Sequence, residues 1–404
     1  TEQLEGYLNL GIVFMGEFAF ELMDTDSQRA NIKVIGVGGG GGNAVNHMIS
    51  QGIQGVNFVC ANTDTQDLSS SPAQEKIQLG VETSKGLGAG MHPEVGKASA
   101  EEAAESIKAL LSDTDMLFIT AGLGGGTGTG ASPVIAKIAK EMDILTVGVV
   151  TKPFKWEGNE RSSLAEQGLK DLEQDVDSLI VIPNDLLQSL GERITVFNAF
   201  DAANDVLLNS VQGIVELITV PGVINLDFAD VKAVMGKKGR SIMGSAVASG
   251  PDRARLAIEN AVRSPLLEDI NLEGASGILL NVTVGSDLEI SEFNQIGDIA
   301  QGYAAEKSKV IVGTALSSDL DDDSIRVTLV ATGLDASRAE DTAKGRERSF
   351  DDLDRPITAR NGLKQQTTED MFESLEKTKP SGEHDEELLD IPRFLRRQDP
   401  DLDF

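Results

Sequence analysis

The chain of 404 residues is long enough for two domains with full-sized cores. Its formal net charge of −30 argues against general nucleic-acid binding, because phosphate backbones would be repelled over most of the surface. Cationic factors and divalent metal ions are easier to accommodate. The single cysteine, Cys60, cannot form an internal disulfide, which suits a reducing cytoplasm.

Residues 1–30 are predicted to form an N-terminal extension that carries an appended helix. Its apolar run, LGIVFMGEFAFELM, is interrupted by Glu17. No Lys or Arg precedes the run, so the positive segment of a signal peptide is missing. No apolar run in the chain approaches the roughly 18 residues that a membrane-spanning helix needs.

Between residues 31 and 195, short apolar runs alternate with segments of helical pattern. The runs NIKVIGV, GVNFVCANTD, DMLFITAG, ILTVGVVT and SLIVIPND have the composition of buried parallel strands. Helices are predicted between them in NAVNHMISQG, EVGKASAEEAAESIKALLSD and SPVIAKIAKEMD. This order predicts an α/β fold with a doubly wound, Rossmann-like sheet over residues 31–195.

A long helix and a second α/β region follow. FNAFDAANDVLLNSVQGIVELI has apolar residues at helical spacing and no Pro, which predicts a connecting helix over residues 196–222. A C-terminal α/β domain is predicted over residues 223–333. Its strands are expected in SIMGSAVASG, GILLNVTVG, KVIVGTAL and IRVTLVATG, and its helices in PDRARLAIENAVRS and SEFNQIGDIAQGYAAEKS.

The composition changes after Gly333. Residues 334–387 contain too few apolar groups to offset the entropy of an ordered core, which predicts a disordered linker. Residues 388–404 contain LLDIPRFLRRQ, where Ile391, Phe394 and Leu395 lie among arginines. This island predicts a docking peptide, although plain disorder accounts for the composition equally well.

Two glycine-rich turns each follow a predicted strand and open a predicted helix. They are GVGGGGGN at residues 36–43 and GLGGGTGTG at residues 122–130. Both would lie at the carboxyl ends of strands, where helix N-terminal N–H groups bind phosphate. Taken singly, each could instead be a tight turn that needs positive φ.

The first turn also fits a nicotinamide site. Gly36, Gly38 and Gly41 match G-x-G-x-x-G, and Asp64 ends the next strand. The second turn has no role in that scheme, whereas two turns could surround a longer phosphate chain. The chain has no Walker A sequence, so backbone amides and a divalent ion would have to neutralise the phosphates.

The sequence GGGTGTGA, residues 124–131, resembles the signature of the tubulin and FtsZ superfamily. The segments GVGGGGGNAVNHM, SKGLGAG, VVTKPFKWEG, IPNDLL, FDAANDVL and NLDFADV resemble its FtsZ branch of bacterial cell-division GTPases. The match is nearly continuous over residues 31–333 and resumes at LDIPRFLRRQ. The resemblance implies a cytoplasmic GTPase that binds GTP or GDP with Mg²⁺ and forms head-to-tail filaments and the division ring at mid-cell.

The resemblance also implies a set of nucleotide contacts. Glu157 and Arg161 would contact ribose and phosphate, and Asn184 and Asp205 would read the guanine. A carboxylate at Asp205 can accept hydrogen bonds from guanine N1–H and the 2-amino group, a donor pair that adenine lacks. The residues implied for the phosphates are Gly39, Gly40, Gly41, Gly42, Asn43, Gly125, Gly126, Thr127, Gly128, Thr129 and Gly130.

Hydrolysis is assigned by the same resemblance to NLDFADV, residues 225–231, which would enter the nucleotide pocket of the next subunit. Asn225, Asp227 and Asp230 are its candidate catalytic residues. Asp227 and Asp230 are three apart, so on a helix they would share a face and could orient water on the γ-phosphate. The alternative is that Asn225 or Asp227 only caps the helix that follows. No side chain is assigned as a metal ligand.

The resemblance implies that Ile391, Phe394 and Leu395 dock on membrane-tethering adaptors such as FtsA and ZipA, so that contact with the membrane is indirect. A plasmid- or phage-type tubulin relative would also be a filament-forming GTPase, but it should lack the IPRFL sequence. A nicotinamide oxidoreductase is less favoured, because the three histidines, His47, His92 and His384, have no evident catalytic partner in the sequence.

Overall fold

The computed structural model describes residues 12–15, 18–21, 30–189, 195, 198–224, 226–264, 266, 275–285, 287–304, 308–317, 320–321 and 323–334. The chain divides into two units, residues 1–342 and residues 343–404, and all described residues lie in the first. Asn225, the docking residues and the linker beyond Leu334 lie outside the described residues. The predictions that fall on them stay predictions.

The N-terminal extension contains a hairpin where a helix was predicted. Strands β1 (Ile12–Met15) and β2 (Phe18–Glu21) pair antiparallel, with Ile12 opposite Glu21 and Met15 opposite Phe18. The helix prediction was therefore wrong. Ile, Val and Phe favour extended backbone, which accounts for strands in this apolar run.

The remaining strands of the described residues form a ten-stranded sheet in the order β11-β10-β12-β9-β8-β7-β6-β3-β4-β5. All neighbours pair in parallel except β12, which is antiparallel to both β9 and β10. The strands are β3 (Ile32–Val37), β4 (Asn57–Asn62), β5 (Glu75–Gln78), β6 (Met116–Gly122), β7 (Leu145–Lys152), β8 (Ser178–Pro183), β9 (Arg240–Ser249), β10 (Gly277–Val284), β11 (Lys309–Leu316) and β12 (Ser324–Thr332).

Helices cover both faces of this sheet. They are α1 (Gly38–Ser50), α2 (Thr65–Ser70), α3 (Pro93–Glu102), α4 (Ala104–Leu111), α5 (Thr127–Glu141), α6 (Asn159–Glu173), α7 (Ala199–Thr219), α8 (Phe228–Met235), α9 (Arg253–Val262) and α10 (Ile290–Tyr303). Short 3₁₀ turns span Lys155–Glu157 and Asn184–Ser189. Among the described helices, none combines the length and the apolar character needed to cross a bilayer.

Neighbouring residues of the central strands enter different cores. Val34 and Phe118 join a core with α1 and α7, whereas Ile35 and Ile119 join a second core with α3 to α6. Successive side chains of a strand point to opposite faces, so the all-apolar strand runs are buried on both sides. The fold is therefore doubly wound, as the sequence predicted.

The connecting helix α7 joins the two halves of the sheet. Its residues Val211 and Ile214 are fully buried in the same core as Leu279 of β10 and Val330 of β12. Burying each such side chain contributes about 1.5–3 kcal/mol. Because β8 pairs with β9, the sheet continues from the first α/β region into the second, and the predicted boundary at residue 223 stays a prediction.

The ion pairs of Arg253, the first residue of α9, allow a test of what stabilises the second α/β region. Arg253 donates from Nε to Glu292 Oε1 at 2.7 Å and from Nη1 to Asp287 Oδ1 at 3.3 Å. The hydrogen bond from Arg253 lowers the pKa of Glu292. A carboxylate whose folded pKa is depressed stabilises the fold above its unfolded pKa, and this contribution is lost as the pH falls through the folded pKa.

We therefore expect Glu292→Gln to lower the urea midpoint of unfolding at pH 7 and to lower it less at about pH 3.5, where the unfolded chain already binds the proton and part of the contribution is lost. Asp298→Asn, an exposed change on the same helix, is the control and should have little effect at either pH. A Glu292→Gln deficit that stays constant between the two pH values would contradict the ion-pair assignment.

Candidate nucleotide site

The site begins where β3 and β6 end, because these parallel neighbours pair Val37 with Ala121 at their carboxyl ends. Helix α1 starts directly after β3, at Gly38, whose φ of +71° turns the chain. Helix α5 starts at Thr127, within the second glycine turn. Two helix N-termini, each with free N–H groups and a positive dipole end, therefore lie side by side.

Several glycines are required by the packing of the protein itself. A Cβ on Gly36 or Gly41 would overlap the carbonyl oxygen of Gly41 or Thr120, respectively. A Cβ on Gly126 would overlap the carbonyl of Gly90, and one on Gly130 would overlap that of Pro93, the first residue of α3. The turn therefore needs glycine at these positions whether or not a ligand is bound.

Other glycines have open space in front of them. A Cβ on Gly42 or Gly125 would meet no atom of the described residues within 4 Å, and one on Gly39 would lie 3.4 Å from Asp67 Oδ2. Gly39, Gly40 and Asn43 are also exposed. These are the positions at which a ligand can approach the backbone.

The two threonines of the second turn have different surroundings. Thr129 is buried, and its Oγ1 accepts a hydrogen bond from Gly124 N at 2.9 Å. Thr127 is partly exposed and its Oγ1 lies 2.6 Å from Thr63 Oγ1. Gly128 is buried, and a Cβ there would lie 2.8 Å from Gly122 O. Thr127 thus lies on the accessible side of the turn, while Thr129 and Gly128 fix the shape of the turn.

A cleft of about 620 Å³ opens between these turns and the segment after β4. Asp67 accepts a hydrogen bond from Asn62 Nδ2 at 2.7 Å, and Asp64 caps α2 by accepting from Gln66 N at 2.9 Å. Within the described part of the chain, no three His, Cys, Asp or Glu side chains form a metal cluster. The residues lining the cleft include Gly39, Asn62, Asp64, Asp67, Leu87, Gly90 and Thr127.

Glu157 and Arg161 form an ion pair beside the next strand end. Glu157 Oε1 accepts from Phe154 N at 2.8 Å, and its Oε2 lies 3.2 Å from Arg161 Nη1. The Arg161 side chain is 41% exposed, yet its Nε is buried with no hydrogen-bond partner among the described residues. Glu157 therefore orients a guanidinium that still has an unmet donor.

Asn184 opens the 3₁₀ turn that follows β8 and is 4% exposed. Its Oδ1 is buried and accepts no hydrogen bond from the described residues. Asp205 lies on α7 and is exposed, and its Oδ1 is 2.7 Å from Nε2 of His47 on α1. This partner of His47 was not evident in the sequence, because the two residues are 158 positions apart and meet only where α1 and α7 pack together.

The candidate hydrolytic residues lie elsewhere. Asp227 is exposed at the N-cap position of α8, but its side chain makes no capping hydrogen bond within the described part of the chain. Asp230 Oδ1 accepts from Lys309 Nζ at 3.0 Å. The capping alternative is therefore not supported for Asp227, and Asn225 is outside the described residues.

Helix α8 is located at the amino ends of the strands. Asp230 of α8 contacts Lys309, which is the first residue of β11. Lys232 of α8 pairs at 3.6 Å with Asp143, which lies just before β7. The glycine turns are at the carboxyl ends of β3 and β6, and β7 runs parallel to β6. Because the eight residues of β7 span about 26 Å, one subunit cannot bring Asp230 to its own glycine turns.

Two family models match the chain: the GTPase domain of the Tubulin/FtsZ family over residues 31–192 and the C-terminal domain of the FtsZ family over residues 239–335. The cell division protein FtsZ of Coxiella burnetii is 51% identical, with 95% of this chain and 100% of that protein covered. The chain belongs to the FtsZ family. The FtsZ of Pseudomonas aeruginosa is 48% identical, over 94% of this chain and 99% of its own.

Solved structures agree with this FtsZ assignment. An empty FtsZ dimer from M. jannaschii is 40% identical, has a TM-score of 0.74 and covers 83% of this chain and 92% of its own. A GTPγS-bound protofilament of CetZ2 from Haloferax volcanii has the same fold, with 21% identity, a TM-score of 0.63 and coverage of 80% and 100%. This FtsZ-family chain is therefore a guanine-nucleotide-binding GTPase of the division cytoskeleton, and the oxidoreductase and plasmid- or phage-type alternatives are not favoured.

The contrast between packed and open glycines predicts opposite effects of the same substitution. Gly42→Ala should raise the free energy of unfolding by about 0.5–1 kcal/mol, because alanine favours helix and the space is free. It should weaken GTP binding roughly tenfold, about 1.4 kcal/mol, because the methyl group would stand where phosphate approaches. Calorimetric binding and urea unfolding of the full chain would measure both.

Gly41→Ala is the matched comparison one residue earlier. Its methyl group would overlap the Thr120 carbonyl, so we expect a loss of about 1–3 kcal/mol of stability. If Gly42→Ala instead bound GTP as tightly as the parent chain, the open glycines would not be the phosphate contacts.

Proposed function

We propose that this FtsZ-family protein assembles head to tail and hydrolyses GTP at each junction between subunits. The observation that carries the proposal is the separation of the glycine turns from Asp227 and Asp230, which lie at opposite ends of the parallel strands. A contact that brings one edge of a subunit to the opposite edge of the next is heterologous and need not close on itself. Filaments are the result.

In this proposal the phosphates of GTP lie on the first turns of α1 and α5. Backbone N–H groups of both turns would bind phosphate oxygens, and the helix dipoles would favour their negative charge. Gly39, Gly42 and Gly125 admit the ligand, and the packed glycines hold the turns in place. Gly40, Asn43 and Thr127 are the other partly or fully exposed residues that the resemblance implies for the phosphates. Its remaining phosphate residues, Gly41, Gly126, Gly128, Thr129 and Gly130, are packed, so any contact they make would come from backbone N–H groups.

Two buried atoms that have no hydrogen-bond partner in the described parts of the chain support the proposed contacts to the guanine and to the ribose and phosphates. A buried polar atom left without a partner costs about 1–3 kcal/mol. Guanine offers N–H donors to the Asn184 oxygen, and the ribose and phosphates offer oxygen acceptors to Arg161 Nε. Asp205 would accept from guanine N1–H and the 2-amino group, while Glu157 holds Arg161.

Mg²⁺ fits the donor set beside the glycine turns. The ion is usually held by one or two carboxylates together with substrate phosphates and waters, so it needs no cage of protein ligands. Asp67, close to the open side of Gly39, and Asp64 would provide the carboxylate oxygens. Bound there, the ion would neutralise charge on the β- and γ-phosphates.

The neighbouring subunit would complete the site. Asp227 is exposed and makes no capping bond among the residues that the structure describes, and Asp230 is held by Lys309 with 47% of its side chain exposed. Both carboxylates are therefore available to orient water in line with the γ-phosphate and to accept its proton. Asn225 would assist from the same segment, an assignment that rests on the resemblance alone.

The C-terminal peptide is proposed to connect these filaments to the membrane. Ile391, Phe394 and Leu395 would bind adaptors such as FtsA and ZipA, and residues 334–387 would give the peptide its reach. This arrangement would place filaments in the cytoplasm at the mid-cell division ring. The proposal rests on the sequence, because these residues are outside the described part of the chain.

Asp230→Asn tests the shared site. We expect the variant to bind GTP and assemble, while GTP hydrolysis falls by roughly 10²–10⁴, the usual effect of losing a group that positions or deprotonates water. Phosphate release and light scattering, followed together after GTP addition, would measure hydrolysis and assembly.

Asp143→Asn is the matched control, because Asp143 is an exposed, ion-paired aspartate at the same edge of the sheet. Asparagine also tolerates its φ of +58°. The control should hydrolyse GTP normally. A rate per subunit that does not depend on protein concentration would rule out a site shared between subunits.

Removal of residues 389–404 tests the docking peptide. Adaptor binding should be lost, whereas the GTPase rate and its concentration dependence should match those of the full chain. Phe394→Ala in the full chain should weaken adaptor binding roughly 10-fold or more, as expected for an aromatic anchor. Surface plasmon resonance with immobilised adaptor would measure both, and undiminished binding by the truncated chain would refute the assignment.

A further inference from the structure

The contact between His47 and Asp205 joins α1 to α7 at the edge of the nucleotide site. The distance from Nε2 to Oδ1 is 2.7 Å, and the His47 side chain is 21% exposed against 60% for Asp205. The sequence predicted a role for Asp205 and none for His47. The pair is therefore a feature of the site that only the fold reveals.

We propose that His47 is a positioning residue that fixes the Asp205 carboxylate for recognition of guanine. The inference rests on the proposed role of Asp205 as the guanine-reading carboxylate. His47 does not touch the nucleotide in this proposal. It acts by donating its Nε2–H to Oδ1, which restricts rotation of a carboxylate that is otherwise mostly in solvent.

The hydrogen-bond capacity of the carboxylate permits this role. An ionised carboxylate has about four lone-pair sites, and the bond from His47 uses one of them. Enough sites remain on the two oxygens to accept from guanine N1–H and from the 2-amino group. Because those two donors are fixed in the plane of the base, a carboxylate that is already oriented loses less conformational freedom on binding.

The position of His47 on α1 agrees with a role at the base. Gly38 begins α1 at the phosphate end, and nine residues at 1.5 Å each place His47 about 14 Å further along the helix axis. Asn43 and His47 are four residues apart and share a face of the helix. One helix thus presents its first turn to the phosphates and its third turn to the residue assigned to the base.

The pair is not needed to hold the two helices together. Ala44, Val45 and Met48 of α1 and Ala203 and Val206 of α7 are buried in one core. Their burial supplies the packing between the helices, whereas the His47 contact lies at a solvent-exposed rim. Removing the imidazole should therefore leave the fold intact and alter nucleotide selection.

The test compares GTP with inosine triphosphate, which lacks the 2-amino group. In the full chain, His47→Ala should raise KM for GTP roughly tenfold and leave kcat at saturating GTP unchanged, because only positioning for binding is lost. KM for inosine triphosphate should rise less, so the preference for GTP narrows. His47→Gln, whose amide can place an N–H near the position of Nε2, should restore most of that preference.

Asp205→Ala and the double variant, which carries both His47→Ala and Asp205→Ala, complete a double-mutant cycle. If His47 acts through Asp205, the double variant should discriminate no worse than Asp205→Ala alone. If Asp205→Ala leaves the preference for GTP intact, the assignment of Asp205 is wrong and the proposed guanine site fails with it. The positioning role is overturned if Asp205→Ala abolishes the preference for GTP but His47→Ala preserves it. It is also overturned if His47→Ala raises KM equally for both nucleotides and His47→Gln restores neither KM.

Discussion

The site depends on the close approach of two helix N-termini at the edge of the sheet. A Cβ on Gly38 of α1 would lie 2.9 Å from the backbone N of Gly128 of α5, a distance that real Cβ atoms do not adopt. Glycine therefore allows two positive dipole ends to converge where one phosphate chain can reach both. A lysine is not needed to hold the phosphates if their charge is shared between these amides and a metal ion.

This convergence has a consequence for the whole molecule. Parallel strands place all carboxyl ends, and hence the glycine turns, on one side, and they leave the amino ends for α8. A subunit built in this way has the proposed binding groups and the proposed hydrolytic groups about one strand length apart. Polymerisation is then the simplest route by which they meet, so hydrolysis would report assembly.

The sequence predicted the elements whose residues are buried on both faces, because continuous Val, Ile and Phe runs have no other stable arrangement. It missed β5, where EKIQ contains Ile77 as its only apolar residue. It also joined α3 and α4, since the helical pattern runs on through Ala103, and it misassigned the hairpin β1–β2. Strand β5 forms by pairing with β4, an interaction that its own four residues do not reveal.

The candidate site also separates what local sequence indicates from what tertiary packing determines. The sequence located both glycine turns. It does not distinguish a glycine whose missing side chain makes room for a carbonyl, as at Gly41, from one that leaves open space for a ligand, as at Gly42. Likewise, Asp205 could be proposed from a local motif, but its contact with His47 requires α1 and α7 to be packed in register. Local patterns thus indicate which chemistry a segment can perform, and tertiary packing determines which atoms remain free to perform it.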